Sequence, residues 1–206
     1  MIRWVLACLL LLAIPTLGHA QTARPPKKAA GRSSVVQQTW VIDTTESKLT
    51  FDLRHLLSRA GGRFETWSGT VTFPGNDWNK AAVAVTIKTA SINTDNPNRD
   101  KHLRGSDFFD AEHHPEITFK STRVQRHGDS ITVAGNLTIK GVTKPVVLKG
   151  KFLGTTAGPN PRMHFQATTT VNRMDYGVSY NRMVEAGGTL LGDDVTMVAD
   201  VVLMPT

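Results

Sequence analysis

Cysteine is all but missing from this 206-residue chain. The single copy, Cys8, sits in an apolar N-terminal run, so everything after it lacks disulfides, thiol nucleophiles and cysteine-held metals. A domain exported without disulfides is stabilised by its core alone. Long apolar runs are also scarce. The one present, residues 5–14, is too short to cross a bilayer comfortably, which takes about 20 apolar residues. There is no nucleophile elbow, no metal-binding motif and no fixed-period repeat. There is no basic stripe with interleaved aromatics either, so nothing points to nucleic acid as a partner.

What is present begins with a leader. Arg3 supplies a positive start, the apolar run follows, and Gly18-His19-Ala20 places small residues at the last and third-last positions. This order predicts a signal peptide over residues 1–20, cleaved after Ala20, whose shortness suits a bacterial periplasm. An uncleaved N-terminal anchor is the competing reading. Residues 21–38 carry Arg24, Lys27, Lys28 and Arg32 and no acid, and their Pro-Pro, Lys-Lys and Ser-Ser pairs mark a disordered basic linker. This stretch is either a solvated spacer or a tether to an anionic membrane surface through residues 24–32. The linker holds most of the net positive charge, which leaves residues 39–206 close to neutral.

Residues 39–206 have the length of one domain, and period-two alternation runs through them. Leu49, Phe51 and Leu53 form the first apolar set; Trp67, Gly69, Val71 and Phe73 form the second. Val83, Val85 and Ile87 follow, then Ile117 and Phe119. Ile131, Val133, Gly135, Leu137 and Ile139 alternate over nine residues. Val146, Leu148, Gly150 and Phe152 precede Met163, Phe165, Ala167, Thr169 and Val171. Val195, Met197, Ala199, Val201 and Leu203 close the chain. Turn signals such as Gly141 with Lys144-Pro145, and Gly158-Pro159-Asn160-Pro161, separate the sets.

Eight amphipathic strands in one cysteine-free domain predict an all-β antiparallel barrel or sandwich. Closure removes edge strands, and an eight-stranded barrel has an interior that side chains just fill or that holds one small ligand. The apolar sets mix bulky residues with Gly69, Gly135, Gly150 and Ala167. Small inward residues either leave room for a ligand or mark close strand packing.

Residues 93–110 interrupt the alternation. Asp95-Asn96-Pro97 signals a turn, a short charged segment follows, and Phe108-Phe109 ends it. This reads as a short helix and loop packed at one end of the barrel, with the two aromatics closing the ligand's end or plugging the core. Ser106, His102 and Asp107 can be assembled into a hydrolase triad on paper, and capping or loop-fixing is the alternative role. Glu112, His113 and His114 offer metal-ligand chemistry, but adjacent histidines on extended backbone face opposite ways, so no metal is expected. Arg173 and Asp175 are expected to pair and anchor a turn.

Five ordered motifs then resemble the YceI-like family of exported bacterial polyisoprenoid-binding proteins. They are Trp40-Val41-Ile42-Asp43 with Ser47; Ser91-Ile92-Asn93-Thr94 with Arg99-Asp100-Lys101-His102-Leu103 and Asp107-Phe108-Phe109-Asp110; Pro115-Glu116-Ile117-Thr118-Phe119-Lys120-Ser121; Gly135 through Val146; and Arg173-Met174-Asp175-Tyr176-Gly177. The resemblance implies an extended eight-stranded antiparallel lipocalin-like β-barrel with one short helix between two central strands. It also implies a periplasmic, non-catalytic protein that transports or stores a long isoprenoid lipid, with a polyprenyl or quinone tail inside the barrel. No cofactor is implied beyond that ligand. The expected ligand-binding interior comprises Leu49, Phe51, Leu53, Trp67, Val71, Phe73, Val85, Ile87, Phe108, Phe109, Phe119, Val133, Leu137, Phe165, Ala167 and Val171. Arg99, Asp100, His102, Arg173 and Asp175 are expected to act as structural polar residues of the motifs. The alternative function is a small exported hydrolase with a site on the insert 99–114. The oligomeric state is left open, a dimer included.

Overall fold

A computed structural model of the chain describes residues 37–55, 58–75, 77–181 and 191–206. The predicted leader and residues 21–36 of the predicted linker lie outside these. Eleven strands are present among the described residues. They are β1 (Gln37–Ile42), β2 (Lys48–His55), β3 (Ser58–Phe64), β4 (Trp67–Pro74), β5 (Ala82–Lys88), β6 (Ile92–Asn93), β7 (Glu116–His127), β8 (Ser130–Ile139), β9 (Val142–Thr155), β10 (Met163–Asn172) and β11 (Leu191–Pro205). One helix, α1 (Pro97–Arg104), lies between β6 and β7. β1 takes in Gln37 and Gln38, two residues the sequence reading places in the linker.

Every pairing is antiparallel, and β1 pairs with both β4 and β11, which closes the sheet. The closed ring runs β1-β4-β5-β7-β8-β9-β10-β11. β2 and β3 continue alongside it: β2 pairs with the first part of β11 while β1 pairs with its end. β1 with β2, β3 with β4, and β5 with β6 therefore act as three staves, each broken in two. That is why eight alternating sets in the sequence become eleven strands around an eight-stave barrel. β11 alone has 15 residues, roughly 50 Å of extended chain.

The register joins the apolar sets. Leu49, Phe51 and Leu53 sit opposite Ala199, Met197 and Val195. Phe165, Ala167 and Val171 sit opposite Val201, Ala199 and Val195. Val85 and Ile87 sit opposite Phe119 and Ile117. A one-residue slip would turn a whole set outward, so burial of one face specifies the register. β3 carries a thin version of such a set, Ala60, Gly62 and Phe64, of which Phe64 is buried. A Cβ at Gly62 would lie 2.7 Å from the Asn93 carbonyl and 2.8 Å from the Phe51 ring, so no side chain fits in the middle of it.

The breaks and turns use the motif residues. Between β1 and β2, the Asp43 carboxylate accepts from Thr45 N–H at 3.1 Å and Thr45 Oγ1 at 2.6 Å. Ser47 Oγ accepts from Val202 N–H at 2.9 Å, standing in for a ladder carbonyl. Lys140 and Gly141 connect β8 to β9 with φ of 49° and 75°, the two left-handed residues of a type I′ hairpin turn. His114 packs over Gly141: a Cβ there would come within 3.0 Å of the ring. β7 carries a bulge between Ser121 and Arg123, which reverses its parity and brings Val124 inward after Phe119.

Candidate functional site

The barrel interior holds two apolar cavities of about 180 and 160 Å³. Ile87 and Met197 line both, so the two meet end to end along the barrel. The first lies towards β4 and β9, the second towards β2, β3 and α1. All sixteen residues expected to form the interior line one or the other. Leu49, Trp67, Val71, Phe73, Val85, Ile87, Phe119, Val133, Leu137, Phe165 and Ala167 line the first. Phe51, Leu53, Ile87, Phe108, Phe109 and Val171 line the second.

The room does not come from the small residues in the way the alternation suggests. A Cβ at Gly69 would lie 2.6 Å from Ile42 Cδ1, and one at Gly135 would lie 2.5 Å from the Phe119 ring. These two glycines are filled by their neighbours and mark close packing. Gly150 is close-packed as well, since a Cβ there would lie 2.7 Å from the Gln166 carbonyl. Ala167 and Ala199 stand opposite each other on β10 and β11, and both line the first cavity.

Aromatics stand at each end. At the end of the first cavity, Trp78 lies on a 3-10 turn whose N-cap Asp77 accepts from Asn79 N–H at 3.0 Å. Its ring packs on Phe73 at 4.8 Å, Phe152 at 5.7 Å and Phe165 at 5.8 Å between centroids. The Arg126 guanidinium sits 4.4 Å from the centroids of both Trp78 and Phe152, a paired cation–π contact. Sequence reasoning missed Trp78 because it lies in a connection with no periodicity, and missed Val124 because the bulge breaks the period. A tryptophan stranded between two strand signals was the one available hint.

At the other end, α1 and the loop after it form the wall. Asn96 caps the helix by accepting from Arg99 N–H at 3.1 Å, with Pro97 as its first residue. Asp100 is buried and accepts from Thr94 N–H at 2.9 Å and Thr94 Oγ1 at 2.5 Å. Arg99 donates to Thr94 Oγ1 and to the Thr94 carbonyl, each at 2.7 Å. These bonds tie the helix to β6 and leave Leu103, Phe108 and Phe109 against the cavity. Phe109 packs edge-on to Phe64 at 6.3 Å, and Phe108 packs on Tyr180 at 4.8 Å.

His102 is exposed, 3.3 Å from Asp107, with its ring edge-on to Phe108 at 5.0 Å and Tyr180 at 4.7 Å. No hydrogen bond joins Ser106 to it among the described residues; the Ser106 carbonyl accepts from Lys140 Nζ at 2.8 Å. Two polar expectations need correction. Arg173 does not pair with Asp175, which is exposed. It is buried and donates to the carbonyls of Gly192, Val178 and Tyr180 and, at 3.3 Å, to Asp193. The 3-10 turn that starts at Arg173 folds the chain back so that the guanidinium meets the segment after it. His113 and His114 are not on extended backbone either. Asp110, at φ 49°, starts a turn, and its carbonyl accepts from the N–H of both. The Asp110 carboxylate, 2.9 Å from His113 Nδ1, raises the pKa of that imidazole, and the hydrogen bond from His113 lowers that of Asp110. Among the described residues, no group of three or more His, Cys, Asp or Glu is placed to hold a metal.

Comparison with known proteins places this architecture. The model of the YceI-like domain matches residues 40–203. A UPF0312 protein of Pseudomonas aeruginosa is 40% identical over 135 residues, 63% of this chain and 70% of that protein. The crystal structure of the Campylobacter jejuni YCEI protein is 28% identical with a TM-score of 0.65, covering 75% of this chain and 90% of that one. A polyisoprenoid binding domain from Saccharophagus degradans, implicated in plant cell wall breakdown, shares the fold at 18% identity and a TM-score of 0.61, covering 81% of this chain and 98% of that one. With a family model matched across the whole barrel, from Trp40 in β1 to Leu203 in β11, the chain belongs to the YceI-like domain family.

Proposed function

We propose that this protein binds a long isoprenoid lipid inside its barrel and transports or stores it in the periplasm, without catalysis. The two tandem cavities carry the reading. Their walls are almost entirely aliphatic and aromatic side chains, and they meet end to end where Ile87 and Met197 stand. Burying a polyprenyl or quinone tail there is favourable by about 25 cal/mol per Å² of apolar surface. Lost translational freedom and ordering offset part of that gain. The fold shared with a polyisoprenoid binding domain supports the same reading. The signal peptide predicted over residues 1–20 supports export as part of the proposal. The hydrolase alternative gains no support, because His102 is bonded to Asp107 while the Ser106 hydroxyl is bonded to neither among the described residues.

The test is organic extraction of protein purified from an exporting bacterial host, followed by mass spectrometry. A stoichiometric polyprenyl or isoprenoid-quinone species is expected. Protein that folds, never meets detergent and carries no lipid would overturn the proposal.

A further inference from the structure

Charge is divided unevenly around the barrel. Residues 117–172, which make up β7 to β10 and their turns apart from Glu116, carry eight Lys or Arg and one acid, Asp129. The rest of residues 39–206 carries eleven Lys or Arg and sixteen acids. β7 to β10 are neighbours in the ring, so the excess is gathered on one side. Lys120, Arg123, Lys144, Lys149 and Lys151 are all exposed there, and among the described residues none of them is in an ion pair. The bordering acids are few. Glu116 is held by Lys88 at 2.6 Å, Asp200 accepts from Gln166 Nε2 at 2.8 Å, Asp129 lies in the turn after β7, and Asp175 follows Met174.

Apolar side chains stand among these cations. The outward positions of β9 read Val147, Lys149, Lys151 and Leu153 in succession. Val147 is 50% exposed and Leu153 61%. With Val142 and Met174 they are the exposed large hydrophobics among the described residues, and all four lie on β9 or in the turn after β10. Single exposed apolar residues are ordinary, but here all of them share one side with the unpaired lysines. The groove of about 580 Å³ where β9 and β10 part opens on the same side. Its Val146 and Thr169 also line the first cavity, and its Val171 and Tyr176 also line the second.

We propose that the outer face of β7 to β10 docks on an anionic phospholipid surface. Arg123 and the lysines meet the head groups, while Val147 and Leu153 enter the interface. Basic and apolar contributions to such binding add to each other. Docked this way, the barrel turns towards the bilayer the side where the groove and both cavities share wall residues. The surface is distinct from residues 24–32 of the linker. Docking needs no lipid in the barrel, so it stands or falls separately from the carriage reading.

The experiment uses protein from an exporting host, with the linker intact in every variant. Binding is measured by sedimentation with vesicles of mixed phosphatidylcholine and phosphatidylglycerol, and of phosphatidylcholine alone. Wild type should bind the mixed vesicles, prefer them to phosphatidylcholine, and let go as salt is raised. Lys149→Gln with Lys151→Gln should lose about tenfold affinity or more. Lys48→Gln with Lys101→Gln removes the same charge from exposed sites elsewhere and should lose about twofold at most. Val147→Ser with Leu153→Ser leaves the charge unchanged and should also weaken binding. All these side chains are exposed, so the fold is kept. Cys8 lies in the predicted leader, so a cysteine placed in the exported domain takes a fluorophore at one site. A dye on Val147→Cys should shift to the blue on mixed vesicles, and one on Lys101→Cys should not. Wild type that ignores the mixed vesicles overturns the inference. So does unchanged binding in either β9 double variant, or an equal loss in the Lys48–Lys101 pair, which would assign the attraction to net charge. A dimer in solution that Val147→Ser with Leu153→Ser dissociates would put a second copy of the chain on this face and overturn it as well.

Discussion

At the residue scale, buried polar side chains take over backbone work that the broken staves leave undone. Arg173 serves three carbonyls from one guanidinium, joining the turn after β10 to the start of β11. A lysine offers a point charge in place of a planar fork and reaches fewer of them. Arg173→Lys should therefore destabilise the fold by about 2–4 kcal/mol, read from urea unfolding. A loss within error would show that the carbonyls find other partners. The Asp110–His113 pair predicts a pH effect of definite sign. His113 has a raised pKa, so its contribution is complete below about 6.5 and is lost as pH climbs through the raised value. Asp110 has a lowered pKa, so its contribution holds above about 3.9 and is lost as pH falls through the lowered value. The turn at 110–114 should be firmest between the two. Asp110→Asn should return the His113 titration, followed by NMR, to near 6.5; a midpoint that stays high would point to a different partner.

At the scale of elements, the barrel is paired unevenly. β9 and β10 are hydrogen-bonded from Met163 opposite Thr155 to Thr168 opposite Lys149. Beyond that point, residues 142–148 of β9 pair only with β8, and residues 169–172 of β10 pair only with β11. Thr169 Oγ1, donating to the Val147 carbonyl at 3.1 Å, bridges the parting. Amides facing an unpaired edge open locally at low cost. Those of 142–148 and 169–172 that face the groove should exchange with deuterium faster than their strand neighbours. Uniform protection along β9 would show that the strands close in solution. The same region exposes Val142 and Val147 on β9, so the parting leaves apolar side chains in solvent as well.

At the scale of the molecule, capacity is set by how much of the barrel its own side chains fill. Aromatic clusters stand at both ends, and the small pair Ala167 and Ala199 lines the first cavity on adjacent strands. Ala167→Leu should project into that space and reduce the length or amount of isoprenoid recovered by extraction, at a stability cost of about 1–3 kcal/mol. A folded Ala167→Leu protein that keeps full-length ligand at wild-type stoichiometry would place the tail elsewhere.

What the sequence determined by itself is whatever depends on short-range periodicity. Period-two sets such as Leu49–Phe51–Leu53 and Val133–Leu137 specify one buried face and, through it, the register and the cavity wall. Gly141 marks a turn, and Asn96–Pro97 starts a helix; Lys144-Pro145, read with Gly141 as part of that turn, instead lies inside β9, paired with Leu137 and Asn136. Other features depend on residues far apart in the chain. Arg173 meets Asp193 and not Asp175 because a 3-10 turn redirects the chain. Gly69 and Gly135 are filled because Ile42 and Phe119 lie across from them. β3 has Phe64 as its one large apolar residue and forms because β2 offers it an edge. Trp78 becomes a stopper because Phe73, Phe152, Phe165 and Arg126, drawn from four strands, converge on it. The solitary hydroxyl of Tyr176 is likewise a property of its surroundings: a tyrosine in the sequence shows a donor, and only the packed barrel shows that no protein acceptor reaches it.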